Sequence, residues 1–557
     1  MTDPTSPNTT VSSTGYTYNL PSEPAPVSDE QIQQTAQDIL DVGDRTLWED
    51  DYDARAVRFG EEMAALSPED GARLVQELLK QDPGARNSWM RLDTVDRMQN
   101  DGRLSQGQYE SIAQGFVQAY NTGAISQEQA ETFLQVSALQ DVAPGIASEQ
   151  FAQMREFLAS AGTSPGAQAF RENFAERLLT RSLGEGAAWA VHAPGLAMQI
   201  AADSGDPDMA ARVFNDVLEA NGGTEETRAK LIDAIGQSSI GFRNSQGAAD
   251  GAINPIATLI ESVAAQPDTA QWNATAVALA QYAETSSDDV FFDYTNDDKP
   301  FTDTAQALST LLGSGHGDAI LSSLANWSSA GVAVGGGHAH EFGRNAIQLG
   351  NLMRITAFNP DNPQSAQAMQ AIQSWAQMRK DYLNGVQRDD YPADMTVSNA
   401  RQDLGMLGGA AFDAVQQMKI DQDNRAAATQ ALVGFAVDLA LSVVPGGGKL
   451  SALAATDLKT AFGNNPAVDR VIDQALSGGD QLSSAAVTQL KSDIAKAVGE
   501  DQADLEALRL TASNFVTQSI VAGLPEGTQA DGGQSHRDIV EGHVQNVQDD
   551  IQDNRGK

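Results

Sequence analysis

Residues 67–84 read SPEDGARLVQELLKQDPG, and this stretch carries a full set of helix signals. A serine that can cap a helix is followed by proline at the first helical position and by two acids in the first turn, where the helix dipole favours negative charge. Apolar residues then recur at helical spacing, at Leu74, Val75, Leu78 and Leu79. Asp82-Pro83-Gly84 ends the pattern, because proline cannot continue a helix and glycine suits the position after one. The stretch predicts one amphipathic helix with both ends marked.

The same signals recur along the chain. Asp206-Pro207 precedes an apolar stripe that stops at Gly222-Gly223, and Thr224-Glu225-Glu226 opens the next helical pattern. The spacing of Leu505 and Leu508 keeps the helical period near the far end. No run of alternating β-branched residues stands out, so strands are not expected. We therefore predict an all-α, multi-helical fold, built as several packed helical bundles or as an irregular helical array.

A short internal repeat links residues 100–108 with residues 121–129. Each copy reads as a glycine after one helix, an apolar residue, and a serine that caps the next helix. An EF-hand calcium loop is excluded, because placing Gly102 sixth in the loop puts Arg97 first and Gln108 twelfth, where carboxylates are needed. The repeat predicts two helix–turn–helix connections, and two copies are too few for a solenoid.

The length of 557 residues calls for several cores or one extended array. Composition changes along the chain suggest where these regions begin and end. The predicted organisation is a disordered tail at 1–27, a helical domain at 28–245, a helical domain with an acidic loop and a Gly-rich segment at 254–420, a C-terminal helical region at 421–525 and a polar tail at 526–557.

The formal net charge of −40 restricts the partners that the chain can have. Phosphates are bound by clustered cations, whereas the lysines and arginines here are scattered, so nucleic-acid binding is not expected. An anionic membrane surface would repel the chain for the same reason. The acidity serves either solubility or a basic protein partner, such as a chaperone or an inhibitor.

The absence of cysteine excludes disulfides, thiolate metal sites and cysteine nucleophiles, and it fits a protein that crosses compartments. A Sec signal peptide needs a basic start, and the first basic residue is Arg45. The expected location is the cytoplasm, with export by a route that uses no Sec signal peptide as the alternative.

Two motifs resemble catalytic or nucleotide-binding loops and fail on their details. Residues 162–166 match the G-x-S-x-G pattern of a hydrolase, but Pro165 has no N–H to donate to an oxyanion. We interpret them as a turn between helices. Residues 445–449 resemble a phosphate-binding loop, but Leu450 stands where serine or threonine would bind magnesium.

The Gly-rich segment 335–341 is the stretch most suggestive of chemistry. It places His338, His340 and Glu341 within four residues of one another, beside a run of glycines. These side chains are our candidate ligands for a divalent metal, or a candidate general base. The H-E-x-x-H zinc motif is absent, because Arg344 occupies the position of its second histidine. The alternative is a loop that leads into a helix and carries histidines on its surface. No other cofactor is predicted.

A second loop, residues 288–298, collects many oxygen ligands and two phenylalanines. Calcium could bind such a cluster, although its spacing matches no known calcium loop. We expect the aromatic residues to anchor the loop to the core.

Residues 426–444 are the most apolar stretch of the chain. They are about long enough to span a bilayer, but Asp438 lies in their middle, which favours a buried core helix over membrane insertion. The segments 431–435 and 444–448, an Ala-rich apolar helix ending in a Pro-Gly turn, resemble the helical regions of bacterial polymorphic toxins and secreted effectors. The resemblance spans some 25 residues and implies a role in toxin delivery or secretion.

We therefore expect a bacterial helical protein that acts through protein–protein contacts, as a secreted effector or a toxin-delivery protein. Its partner would be a chaperone, an inhibitor or a secretion component. Two alternatives stay open. One is a hydrolase with a histidine-containing site at 335–341, and the other is a membrane-inserting, pore-forming toxin that uses 426–444.

Overall fold

The computed structural model describes most of the chain, and the described part is overwhelmingly helical, which confirms the all-α prediction. Within it, Phe292–Asp293 pairs with Lys299–Pro300 as a two-residue antiparallel ladder. The described residues are 27–42, 49–81, 90–134, 153–184, 193–244, 253–285, 291–293, 299–325, 339–359, 361–393, 395–418, 425–441, 459, 466–476, 484–501, 514, 517–521, 524 and 534–555.

The contacts divide the chain into two compact units. The first unit comprises Met1–Val136 and Glu156–Ala167, and the second comprises Ser137–Arg155 and Gln168–Lys557. The boundaries predicted near residues 245 and 420 both fall inside the second unit. The five regions drawn from composition stay a prediction.

The first unit is a small helical bundle with an aromatic centre. Phe116 and Phe133 stack with their ring centroids 4.5 Å apart, and Phe157 meets Phe116 edge-on at 5.7 Å. Its helices are α1 (Asp29–Leu40), α2 (Glu49–Ala65), α3 (Pro68–Gln81), α4 (Leu92–Asn100), α5 (Gln106–Asn121), α6 (Gln127–Phe133) and most of α7, described over residues 153–160.

Helix α3 confirms the prediction made from residues 67–84. Its first turn is capped by Ser67, whose Oγ accepts the backbone N–H of Asp70 at 3.1 Å. Leu74, Val75 and Leu78 are buried, as the apolar spacing requires. The predicted stop, Asp82-Pro83-Gly84, lies outside the described residues.

The internal repeat also has the predicted structure. Gly102 and Gly123 both adopt a positive φ, at 70° and 71°, which glycine tolerates without strain. Ser105 and Ser126 each form a capping box with the glutamine three residues later. In each copy the apolar residue between the glycine and the serine, Leu104 or Ile125, is buried.

The G-x-S-x-G segment is an interhelical turn, as predicted. Gly162 has a φ of 77°, Pro165 begins the next helix, and the Oγ of Ser164 accepts the N–H of Ala167 at 3.2 Å. Ser164 therefore acts as a helix cap.

The second unit is a larger packing of helices. In it, α14 packs on α12 and α17, and α18 packs on both α16 and α22. Its helices are α8 (Pro165–Arg181, whose first turn belongs to the first unit), α9 (Ala193–Asp203), α10 (Met209–Ala220), α11 (Glu225–Asn244), α12 (Pro255–Ala264), α13 (Ala270–Thr285), α14 (Thr302–Leu312), α15 (Gly317–Ala325), α16 (Ala339–Ile355), α17 (Ser365–Leu383), α18 (Val397–Gln416), α19 (Arg425–Leu441), α20 (Pro466–Leu476), α21 (Ser484–Asp501) and α22 (His536–Arg555).

Residues 426–441 of the predicted apolar stretch lie in helix α19, which packs against α21. Leu432, Val433 and Val437 are buried in it. Across the described part of the chain, no helix combines the length and the hydropathy needed to cross a membrane. Residues 442–449, including the loop that resembles a phosphate-binding loop, lie outside the described residues.

Candidate functional site

The candidate metal residues are only partly described. His338 lies outside the described residues, and His340 and Glu341 stand in the first turn of α16, where the backbone but not the side chains is described. The segment therefore leads into a helix at Ala339, as expected. Among the described residues, no group of three or more histidine, aspartate or glutamate side chains is arranged to hold a metal. The metal site at His338, His340 and Glu341 stays a prediction.

His316, which lies upstream of that segment, is fully buried. Its Nδ1 lies 2.7 Å from Oδ1 of Asn273, and its Nε2 lies 3.1 Å from the carbonyl oxygen of Val263. Both ring nitrogens are engaged inside the protein, so His316 connects α12, α13 and α15 and is not presented to a substrate.

The acidic loop at 288–298 is mostly outside the described residues, and calcium binding there stays a prediction. The aromatic anchor is confirmed for Phe291, which is 1 % exposed and meets the Tyr282 ring edge-on at 6.0 Å.

The site that the described residues do form is a cleft of about 650 Å³ along helix α17. One wall is the turn between α14 and α15, and the other is a face of α17. Its volume is that of a small-ligand or peptide site. Four glutamines and a serine of α17 line it: Gln367, Gln370, Gln373, Ser374 and Gln377.

Two glycines fix the wall opposite α17. A Cβ on Gly317 would lie 2.0 Å from the carbonyl oxygen of Leu312, so any side chain there would force the turn apart. A Cβ on Gly313 would lie 2.3 Å from Cγ of Gln367. A hydrogen bond connects the two helices as well. Nδ2 of Asn362, just before α17, donates to Oγ of Ser309 on α14 at 2.7 Å. These contacts set the distance between the two walls.

Trp375 lines the cleft, and the buried Arg379 packs on its ring. The guanidinium of Arg379 lies 3.8 Å above the Trp375 ring, and both side chains donate to Oγ of Ser322, at 2.8 Å and 3.1 Å. The Arg379 side chain is only 3 % exposed and pairs with Asp403 at 3.0 Å and with Asp318 at 3.2 Å. A buried cation needs such partners, because desolvation otherwise makes it costly. The charge of Arg379 is therefore neutralised inside the protein.

Arg388 stands at the rim of the cleft. It pairs with Asp381 at 2.9 Å and with Asp390 at 2.7 Å. These hydrogen bonds raise the pKa of the Arg388 guanidinium, and Arg388 in turn lowers the pKa of the Asp390 carboxyl. The charged side chains at the rim therefore pair with one another.

The α17 wall offers neutral hydrogen-bonding groups beside the apolar side chains of Ala371, Trp375 and Met378. A glutamine amide has two N–H donors and an acceptor oxygen, so this face can both donate to a ligand and accept from it. One of these donors is already in use, since Nε2 of Gln377 donates to Oδ1 of Asp381 at 2.6 Å. Ser314 is not arranged as a nucleophile, since its hydroxyl donates to the carbonyl of Leu311 at 2.6 Å and accepts the N–H of His316 at 3.2 Å.

Sequence reasoning missed this cleft, although one signal was present. Glutamine recurs in α17 at Gln367, Gln370 and Gln377, which is the spacing of one helix face. A glutamine stripe is ordinary on a solvated helix, and only the opposite wall at 312–318 makes it a cleft.

Comparison with known proteins adds little. No protein-family model matches the chain, and no curated protein matches it. The crystal structure of an engineered protein from the Northeast Structural Genomics Consortium aligns over 89 % of this chain and 100 % of its own length, at 11 % identity and a TM-score of 0.19. A TM-score this low does not establish a common fold.

Proposed function

We propose that this chain is a bacterial protein-binding protein, and that the α17 cleft holds an extended segment of its protein partner. The observation that carries the proposal is the row of amides on one face of α17, opposite a fixed wall. From Gln367 to Gln377 the helix rises about 15 Å at ~1.5 Å per residue. An extended chain covers that distance with about 4–5 residues at ~3.3 Å each.

A polypeptide backbone is the ligand that matches this row best. A polypeptide backbone presents N–H donors and C=O acceptors in alternation. Like the glutamine amides, it carries no charge. The net charge of −40 acts over a longer range and favours a basic partner, since complementary charge speeds association. A chaperone, an inhibitor or a secretion component would meet both conditions.

The role as a secreted effector or toxin-delivery protein belongs to the same proposal. Its support is the resemblance of residues 431–448 to the helical regions of such proteins, together with the absence of cysteine. The bacterial cytoplasm would be the site of synthesis, and the partner would act during storage or export.

A photo-crosslinking residue at Gln370 tests the proposal, because this side chain is exposed and lines the cleft. The full chain would be expressed in a bacterial host and irradiated, with the same residue at Gln552, an exposed position on α22, as the matched control. We expect one protein to be crosslinked through position 370 and not through position 552.

The captured protein would then be purified and its affinity measured by calorimetry. Ser374→Trp fills the cleft and should weaken binding by at least about tenfold, which corresponds to about 1.4 kcal/mol. Gln552→Trp should leave the affinity unchanged. Equal crosslinking at both positions, or a Ser374→Trp variant that binds as tightly as the unmodified chain, would overturn the proposal.

The hydrolase alternative rests on His338, His340 and Glu341. Metal analysis of the purified chain, with His338→Ala and His340→Ala as comparisons, separates it from the binding proposal. Bound metal that is lost in both variants would favour the hydrolase, and no metal in any of them would count against it.

A further inference from the structure

The C-terminal helix α22 packs on α18 through an unusually close contact. Three glycines of α18 face it, and a Cβ on any of them would overlap a side chain of α22. The distances would be 2.3 Å from Gly405 to Cβ of His543, 2.5 Å from Gly408 to Cγ2 of Val544 and 2.2 Å from Gly409 to Cγ1 of Val547.

A stripe of apolar residues completes this interface. Val540, Val544, Val547 and Ile551 are buried and recur at helical spacing along α22. The side chains of α22 therefore lie directly against the backbone of α18. A charge that appears at this interface acts on groups of the other helix at short range.

His536 lies at the first turn of α22 and makes a bond that depends on its protonation. Nε of Arg401, on α18, donates to Nδ1 of His536 at 2.9 Å. An arginine can only donate, so Nδ1 must carry a lone pair and the imidazole must be neutral. Protonation of Nδ1 would remove this acceptor and set an imidazolium against a guanidinium.

His543 lies one to two turns further along the same interface and is half-buried. Burial and, second, the charge of Arg401 lower the pKa of both His536 and His543. Docking and protonation therefore oppose each other at two positions of one helix.

Four of the other charged groups in this region have partners of their own. On α18, Asp403 pairs with Arg379; on α22, Arg537 pairs with Glu541 and Asp538 accepts the N–H of Ser535. The remaining described charged side chains of the two helices packed on α22 are Asp413 of α18 and Arg354 of α16. Among the charged groups, Arg401 is the one that acts on both histidines.

We propose that α22 is a pH-dependent latch, docked on the glycine face of α18 at neutral pH and released when His536 and His543 are protonated. Release would expose that glycine face and free a 20-residue amphipathic helix. The trigger is a fall in pH, such as a protein meets when it passes into an acidic compartment.

The direction follows from the lowered pKa values. The undocked helix binds protons near the ordinary histidine pKa of about 6.5, and the docked helix binds them only at lower pH. Docking is therefore fully stable above about pH 7 and weakens as the pH falls through 6.5 towards the docked pKa values. Each histidine raises the opening constant by at most about tenfold per pH unit in that window.

Amide hydrogen exchange on the full chain measures the opening directly. Protection of residues 540–555 would be compared at pH 7.5 and pH 5.5 after correction for the intrinsic exchange rate, with α5 as an internal reference that contains no histidine. We expect the opening constant of α22 to rise by at least about tenfold at pH 5.5 while that of α5 stays the same.

Two variants test this result, one expected to keep α22 docked and one expected to keep it open. His536→Gln/His543→Gln keeps a neutral acceptor for Arg401 and should protect α22 equally at both pH values. Gly408→Leu obstructs Val544 and should leave α22 open at both. If the double variant fails to dock, His536→Gln alone decides, because it should keep docking at pH 7.5 and lose part of the pH effect. Unchanged protection of the original chain at pH 5.5, or a pH effect that persists fully without His536, would overturn the latch.

Discussion

Arg379 places a positive charge in the protein interior, and its removal tests how much the packing around Trp375 depends on that charge. Arg379→Met would keep the packing on Trp375 but leave Asp403, only 15 % exposed, without its cation. Breaking a buried ion pair from one side costs about 3–5 kcal/mol. We expect the lower end, about 3 kcal/mol, because the second partner, Asp318, is half-exposed.

The measurement is the urea midpoint of the second unit, followed by the fluorescence of Trp375 and the other tryptophans. Arg388→Met is the matched control, since Arg388 also holds two carboxylates but lies at the exposed rim, where ion pairs contribute about 1 kcal/mol or less. Equal shifts for the two variants would show that burial of Arg379 has no energetic consequence.

At this scale the sequence indicated local features and not the long-range ones. Arg379 and Lys380 were visible as adjacent basic residues, but their burial was not. The partners of Arg379, Asp403 and Asp318, lie 24 and 61 positions away, and no periodic pattern connects them. The histidines of 335–341 stood out by composition, which indicates chemistry but not geometry.

Helix capping is a contribution that can be tested element by element. Ser105 and Ser126 occupy equivalent caps of the internal repeat, with capping boxes to Gln108 and Gln129. Ser105→Ala and Ser126→Ala should each lower the free energy of unfolding of the first unit by about 1 kcal/mol, because a backbone N–H at each helix start loses its acceptor.

Ser111→Ala is the control for these caps. Ser111 lies inside α5 and is half-buried, and its hydroxyl donates to the carbonyl of Gly107 at 2.8 Å, so its loss leaves no helix end uncapped. Thermal unfolding of all three variants should separate the two caps from Ser111. A Ser111→Ala loss as large as the cap losses would contradict the explanation.

The elements differ in how far the sequence predicted them. Caps, glycine turns and apolar spacing are set by neighbours within a few residues, so α3 and the repeat follow from the sequence. The prediction for residues 526–557 is a polar tail, and these residues contain the 20-residue helix α22. The helical spacing of its four buried residues can be seen in the sequence. The glycine face of α18 that contacts them lies about 135 positions earlier, which is the separation of Arg401 and His536, and no local pattern connects the two.

At the scale of the whole molecule, the all-α class was predictable and the grouping of helices was not. Residues 156–167 belong to the first unit although residues 137–155 between them and its main part belong to the second. Composition is read in the order of the residues along the chain, so it carries no sign of such an interleaving. The net charge, in contrast, is a whole-molecule property that the sequence states directly.

That charge gives the last prediction, which concerns the pore-forming alternative. A chain of net charge −40 is repelled by anionic vesicles at pH 7.5, and the apolar residues Leu432, Val433 and Val437 of α19 are already buried within the protein. Exposing them to lipid would first require unpacking α19 from α21, which gives up about 1.5–3 kcal/mol for each large apolar side chain. We therefore expect no release of a trapped dye from anionic vesicles at this pH. The contrary outcome is dye release by the original chain and by a surface control such as Gln552→Asp, but not by Val433→Asp. That outcome would establish α19 as a membrane-active segment.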